Sequence, residues 1–329
     1  MRKYKRIAVL IALLLIINFT NKSKFVPEIL KFQKTSTNYL TGLPGSNGPL
    51  LAVKIDDTKE ALPQIGISEA DNVYVEQVES GLTRLLALYS SDYPDEIGPV
   101  RSARISDIDL LAQYGRVAFA YSGSQEKMRP VLASANLNIL SAERNPPTIF
   151  SRDEARVAPV NLILHPNLLI ERATKKFNLS LIKLNSSPWN FGNLSKSATS
   201  IRIAKIKFPN SRYEATWDST NHCWNLAQNG NAEVTTIGKN VCIDNLIIQN
   251  VVIEPSIYGD KFGANTPFSK SVGNGSAFLL RDGKYLEINW SRSDPLQFTK
   301  WFQKDGSEVK IKAGHTWIFL TDTAPALTQ

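Results

Sequence analysis

Residues 71–90 read DNVYVEQVESGLTRLLALYS, two apolar runs separated by a break at Gly81, and the period of these runs decides the fold. In the first run Val73, Val75, Gln77 and Glu79 share one face, and Glu76 lies on the other. Period-two patterning with β-branched and aromatic residues predicts two strands joined by a short turn at Gly81. On the N-terminal side, PLLAVKID (49–56) is an apolar run typical of a buried strand, ending at Asp56 and Asp57. On the C-terminal side, RVAFAYS (116–122) is a further strand. Between them SDIDLLAQYG (106–115) reads as a helix. Ser106 is its expected N-cap, Asp107 and Asp109 suit the positive end of its dipole, and Gly115 stops it. SQEKMRPVLASA (124–135), shortened by Pro130, and PNLLIERATKKF (166–177) predict two more helices.

The pattern changes beyond residue 200. The stretch 178–200, rich in Ser and Asn and without a period, is the expected linker. RIAKIKF (202–208), RYEATWD (212–218) and NLIIQNVVIE (245–254) read as strands, and Asn-Gly or Asp-Gly turns occur in QNGN, RDGK and KDGS. AFLLRDGKYLEINW (277–290) is the clearest hairpin. VGNGS (272–276) is Gly-rich but precedes a strand, so it reads as a turn rather than a phosphate cradle. The expected organisation is an α+β or α/β N-terminal domain over 48–177, then a mostly antiparallel β domain over 201–322.

The chain has 329 residues and a formal net charge of +8, from 38 Lys and Arg against 30 Asp and Glu. Residues 1–24 hold six of the basic residues (Arg2, Lys3, Lys5, Arg6, Lys22, Lys24) and no acid, so the remainder is nearly neutral at 32 against 30. Without clustered excess positive charge there is no footprint for nucleic acid. The basic start followed by the apolar IAVLIALLLIINF (7–19) has the form of an export signal, cleaved or retained as an anchor, with 25–47 as a polar spacer. The body of the chain is therefore expected outside the cytoplasm, with a cell-envelope or membrane component as partner. Cys223 and Cys242 are compatible with a disulfide or with two reduced thiols, and they are too few for a metal site of their own. Trp217, Trp224, Trp290, Trp301 and Trp317 read as core and hairpin packing rather than a sugar-binding surface.

AVKIDD, ADNVYVEQVESGLTRLLALY, IGPVRSAR and RVAPVNL in the first half, with GSAFLLRDGKYLEINW and AGHTWIFL in the second, together resemble the bacterial YerB-like lipoprotein family. The resemblance runs over residues 48–322 in the same order and implies a two-domain envelope protein without a settled activity. Two departures stand out. No lipobox cysteine follows the apolar segment, and the family's Ala-Pro-His-Asn is here Ala158-Pro159-Val160-Asn161, which offers no histidine base.

The candidate site gathers around Asp56, Asp57, Glu76, Glu79, Arg84, Arg101 and Arg104, and its ligand-binding candidates are Asp56, Glu79, Arg84, Arg101, Arg104 and Asn161. Arg101 and Arg104 precede the predicted helix at 106 and form a fork suited to phosphate or carboxylate, with helix-start N–H groups beside them. Asp56 and Glu79 are the only candidates for a divalent cation or an acid–base pair; otherwise no cofactor or metal is expected. An alternative reading pairs these arginines with Asp56 and Glu79 as structural ion pairs. The functional expectation is an envelope protein that binds an anionic ligand or partner through its N-terminal domain. Its rival is an envelope hydrolase or phosphotransferase acting on cell-wall glycan or a polyprenyl phosphate. No G-x-S-x-G occurs, so a nucleophile elbow is absent.

Overall fold

The computed structural model describes residues 36–259 and 263–329, so the expected export signal and residues 25–35 of the spacer lie outside the described residues. The first half supplies strands β1 (Leu51–Asp56), β2 (Asn72–Gln77), β3 (Thr83–Tyr89), β4 (Val117–Ala120), β5 (Leu137–Ile139), β6 (Phe150–Arg152) and β7 (Leu162–Leu164). Its helices are α1 (Ser106–Ala112), α2 (Arg129–Ser134) and α3 (Pro166–Lys175). The second half is β-rich. It begins with β8 (Thr199–Ser200), β9 (Ile203–Lys207), β10 (Arg212–Asp218), β11 (Cys223–Gln228), β12 (Asn231–Ala232), β13 (Cys242–Ile243) and β14 (Asn245–Asn250). It continues with β15 (Ile253–Gly259), β16 (Asn265–Ser269), β17 (Gly273–Arg281), β18 (Lys284–Arg292), β19 (Lys300–Phe302), β20 (Thr316–Thr321) and β21 (Ala326–Thr328).

Strands from both halves join one mixed sheet in the order β19-β18-β17-β14-β20-β2-β3-β1-β4-β5. The seam is the parallel pairing of β2 with β20, in which Val73 lies opposite Trp317 and Val75 opposite Phe319. The segment 178–200 does run between the halves, yet what it connects is a shared sheet rather than two separate ones. A second sheet, β12-β11-β10-β9-β21 with β13 beside β11, is antiparallel throughout. The protein is thus mostly β, with a large mixed sheet and a smaller antiparallel one. Among the described residues no helix is long and apolar enough to cross a membrane.

Alternation along the strands builds a core on each face of the large sheet. Leu51, Val53, Ile55, Val73, Val75, Leu85 and Ala87 pack with Ala204, Ile206, Tyr213, Trp224 and Leu226 of the second sheet. Leu50, Ala52, Tyr74, Leu86 and Leu88 pack with Leu110 and Leu111 of α1 and Leu132 of α2. Trp224, Trp290 and Trp317 are buried, as packing tryptophans should be.

Four local readings change. Ser106 is the first helical residue rather than the N-cap, because its hydroxyl accepts the Ser269 N–H from β16. Glu79 does not close β2; it opens a 3-10 turn, Glu79–Gly81. Gly81 in that turn has φ +69°, and a Cβ there would meet Pro209 Cβ at 2.6 Å, so only glycine fits. NLIIQNVVIE splits into β14 and β15, and the glycines of VGNGS lie in or beside the start of β17 instead of forming a turn. Cys223 and Cys242 are joined by a disulfide between β11 and β13.

Candidate functional site

β3 runs between β1 and β2, and the register sets Arg84 opposite Asp56 on one side and Glu76 on the other. These residues lie on the helix-facing side of the sheet, as does Lys54 two residues before Asp56. The loop 97–105 then takes the place beside β1 that β4 leaves beyond Val53. Asp56 N–H donates to Pro99 O and Arg101 N–H to Lys54 O, while Ser122 N–H bonds Arg101 O from the far side. Arg101 and Arg104 therefore stand on a loop whose backbone is fixed at both edges.

Each arginine meets a carboxylate. Arg101 Nε lies 2.5 Å from Asp56 Oδ2, whose other oxygen accepts the N–H and hydroxyl of Thr58. Arg104 donates from Nε and Nη2 to Glu79 Oε2 at 2.9 and 2.6 Å, and Thr266 of β16 donates to Glu79 Oε1. Beneath them, Lys54 is fully buried between Glu76 and Asp107, 2.8 Å from Asp107 Oδ1. Asp107 Oδ2 in turn accepts the Arg104 N–H at 2.6 Å. The lysine thus ties β1 and β2 to the start of α1 and to the arginine loop.

Arg84 differs from the other two arginines. Its hydrogen bond goes to the Ser102 carbonyl at 2.9 Å and not to a carboxylate. Burial pushes its guanidinium down to about 9, and the adjacent Arg104 and Arg101 push the same way. Burial lowers Lys54 to about 8 against the support of Asp107. Burial also opposes ionisation of Asp56 and Glu79. The Thr58 bond and Arg101 at the first, and Arg104 and Thr266 at the second, overcome it and hold both below their usual range. The cluster opens to solvent at Arg101, whose side chain is 25% exposed against 11% for Arg104.

Of the six candidates from sequence, five converge here. Asn161 does not join them; its amide oxygen accepts from Arg152 at the surface. Asp57 faces the second sheet, where its carboxylate accepts from Thr83 and Tyr213. Glu76, gathered with the site from sequence, meets Lys54 rather than an arginine. Lys54 and Asp107 were not among the candidates, although a lysine inside an otherwise apolar strand was the signal for the first. The expected help from helix-start N–H groups is also reduced, because the Arg104 N–H is already held by Asp107. Among the described residues no three His, Cys, Asp or Glu side chains are grouped to hold a metal ion.

Residues 40–180 match the N-terminal domain of a protein family of unknown function (DUF3048), and residues 204–318 match its C-terminal domain. The chain belongs to this YerB-like, two-domain family. A curated relative, the putative lipoprotein YerB of Bacillus subtilis (strain 168), is 24% identical over 97% of this chain and 95% of its own length. The crystal structure of YerB from Bacillus subtilis superposes with a TM-score of 0.78 at 22% identity, covering 89% of this chain and all of that one. The YerB crystal structure therefore has the same fold as this chain. The candidate cluster draws on both matched regions, since Thr266 of the C-terminal domain holds Glu79 of the N-terminal one.

Proposed function

We propose that the protein is an extracytoplasmic envelope component that binds an anionic group, phosphate or carboxylate, at the mouth formed by Arg84 and Arg101. One observation carries this reading. Arg84 is a buried guanidinium bonded to a carbonyl and crowded by Arg104 and Arg101, with Asp56 and Glu79 offsetting them only in part and the partly exposed Arg101 beside it. An arriving anion would relieve that crowding and accept charge-assisted hydrogen bonds from both side chains. The putative-lipoprotein name of the relative supports the extracytoplasmic location. A hydrolase or phosphotransferase has less support, because Asp56 and Glu79 are each engaged by an arginine and neither is free as a base.

Thermal denaturation with increasing phosphate or pyrophosphate at constant ionic strength tests the proposal. Ligand binding to the native state raises the apparent stability with concentration. The Tm should rise in the parent protein and stay level in Arg101→Ala. A parent protein indifferent to both anions refutes it.

A further inference from the structure

A cavity of about 580 Å³ lies beside the edge strand β19 of the large sheet, and none of the arginine cluster lines it. That is within the usual range for small-molecule sites. Trp189 and Trp301 form its aromatic wall, with ring centroids 6.1 Å apart and planes 25° from parallel. Trp189 is buried and anchored through its backbone, whose N–H and carbonyl both bond the Ser187 hydroxyl. Trp301 is half-buried and so keeps ring surface for a ligand, and Phe298 extends the wall. The rim is polar. Asn190 Nδ2 donates to Glu308 Oε2 at 2.8 Å, with both side chains exposed, and Lys300 stands on the same rim.

The backbone around this cavity is already paired. Gln303 N–H bonds Ser307 O, Val309 N–H bonds Trp301 O, and Ile311 N–H bonds Asn190 O. A peptide strand would find few open backbone partners there, so recognition falls to side chains. A lipid chain would meet a carboxamide, a carboxylate and an ammonium at the entrance. Glu308 and Lys300 balance each other, which favours neither a polyanion nor a polycation. A pyranose fits these conditions. Its C–H faces are apolar and stack on aromatic rings, and its edge carries hydroxyls for an amide–carboxylate pair.

We propose that this cavity is a carbohydrate-binding site for a neutral pyranose oligosaccharide, with Trp301 as the stacking platform and Asn190–Glu308 as the hydroxyl reader. It is independent of the anion site. The test is titration of the protein with tetramers of N-acetylglucosamine, glucose in β-1,4 linkage and glucose in α-1,4 linkage, read by calorimetry and tryptophan fluorescence. At least one should bind saturably, with Trp301→Ala and Glu308→Gln each weakening it by about tenfold or more. Arg101→Ala should leave that affinity unchanged. Circular dichroism melts of both variants establish that they fold, and Glu308→Gln, at an exposed position, carries the test if Trp301→Ala does not. Failure of all three sugars to bind, or binding that survives both substitutions, overturns the proposal.

Discussion

Replacing Lys54 by Met keeps most of the length of the side chain and removes its charge from a fully buried site between Glu76 and Asp107. The two carboxylates do not suffer equally. Asp107 keeps the Arg104 N–H, whereas among the described residues neither oxygen of Glu76 accepts a hydrogen bond, so the lysine ammonium is its close contact. Removing one member of a buried ion pair costs about 3–5 kcal/mol, mostly because the other charge is left uncompensated. Lys54→Met should therefore lose stability in that range, through Glu76. Lys54→Met/Glu76→Leu removes the stranded charge and should recover most of the loss, since apolar replacement of a buried pair is often near neutral. The assay is urea denaturation at pH 7, comparing midpoints at constant m-value. The pH dependence supplies an independent check. With Lys54 at about 8 in the fold and 10.5 unfolded, the unfolded chain binds more protons between those values. The parent protein should therefore gain stability across that window relative to Lys54→Met, by at most about 3 kcal/mol. A single substitution costing less than about 1 kcal/mol, or a double substitution no better than the single, refutes this account of the triad.

Burial raises Asp57 to about 7 although Thr83 and Tyr213 bond it, so the fold retains a proton that the unfolded chain releases near 3.8. Stability should thus fall as pH rises from about 4 to 7 in the parent and fall less in Asp57→Asn. Parallel Tm–pH curves contradict this. Arg104→Ala removes two hydrogen bonds from the buried Glu79 and should cost about 3 kcal/mol by denaturant midpoint, whereas Arg101→Ala leaves the buried Asp56 its Thr58 N–H and hydroxyl and should cost less, about 1 kcal/mol. Equal costs would remove the distinction between a structural and a ligand-facing arginine. Cys223→Ala/Cys242→Ala opens a loop with a sequence separation of 19 and should lower stability by about 3 kcal/mol, with reduction of the parent giving the same midpoint. No response to reductant would contradict it.

The strands β1, β2 and β3 were legible because their apolar runs are continuous and their breaks carry Gly81 or acidic residues. The convergence of Asp56, Glu79, Arg84, Arg101 and Arg104 was legible for the same reason, since all five stand at strand ends or in the loop ahead of α1. The joining of β2 to β20 was not. Partners more than 200 residues apart leave no local pattern, and the linker composition of 178–200 suggested separation. The role of Ser106 was lost similarly, because the group it bonds, Ser269 N–H, comes from the other half of the chain. Lys54, Glu76 and Asp107 each had a local signal, but their grouping depends on the register of β1, β2 and β3 and on how α1 packs over them.

The central claim is that Arg84 and Arg101 together receive an anion. Anomalous diffraction from crystals soaked in tungstate, a heavy tetrahedral oxyanion, tests it most directly. The account predicts a peak within hydrogen-bond distance of both guanidinium groups in the parent and no peak there in Arg101→Ala. Tungstate bound elsewhere, with the space beside Arg84 and Arg101 empty at saturating concentration, would contradict it.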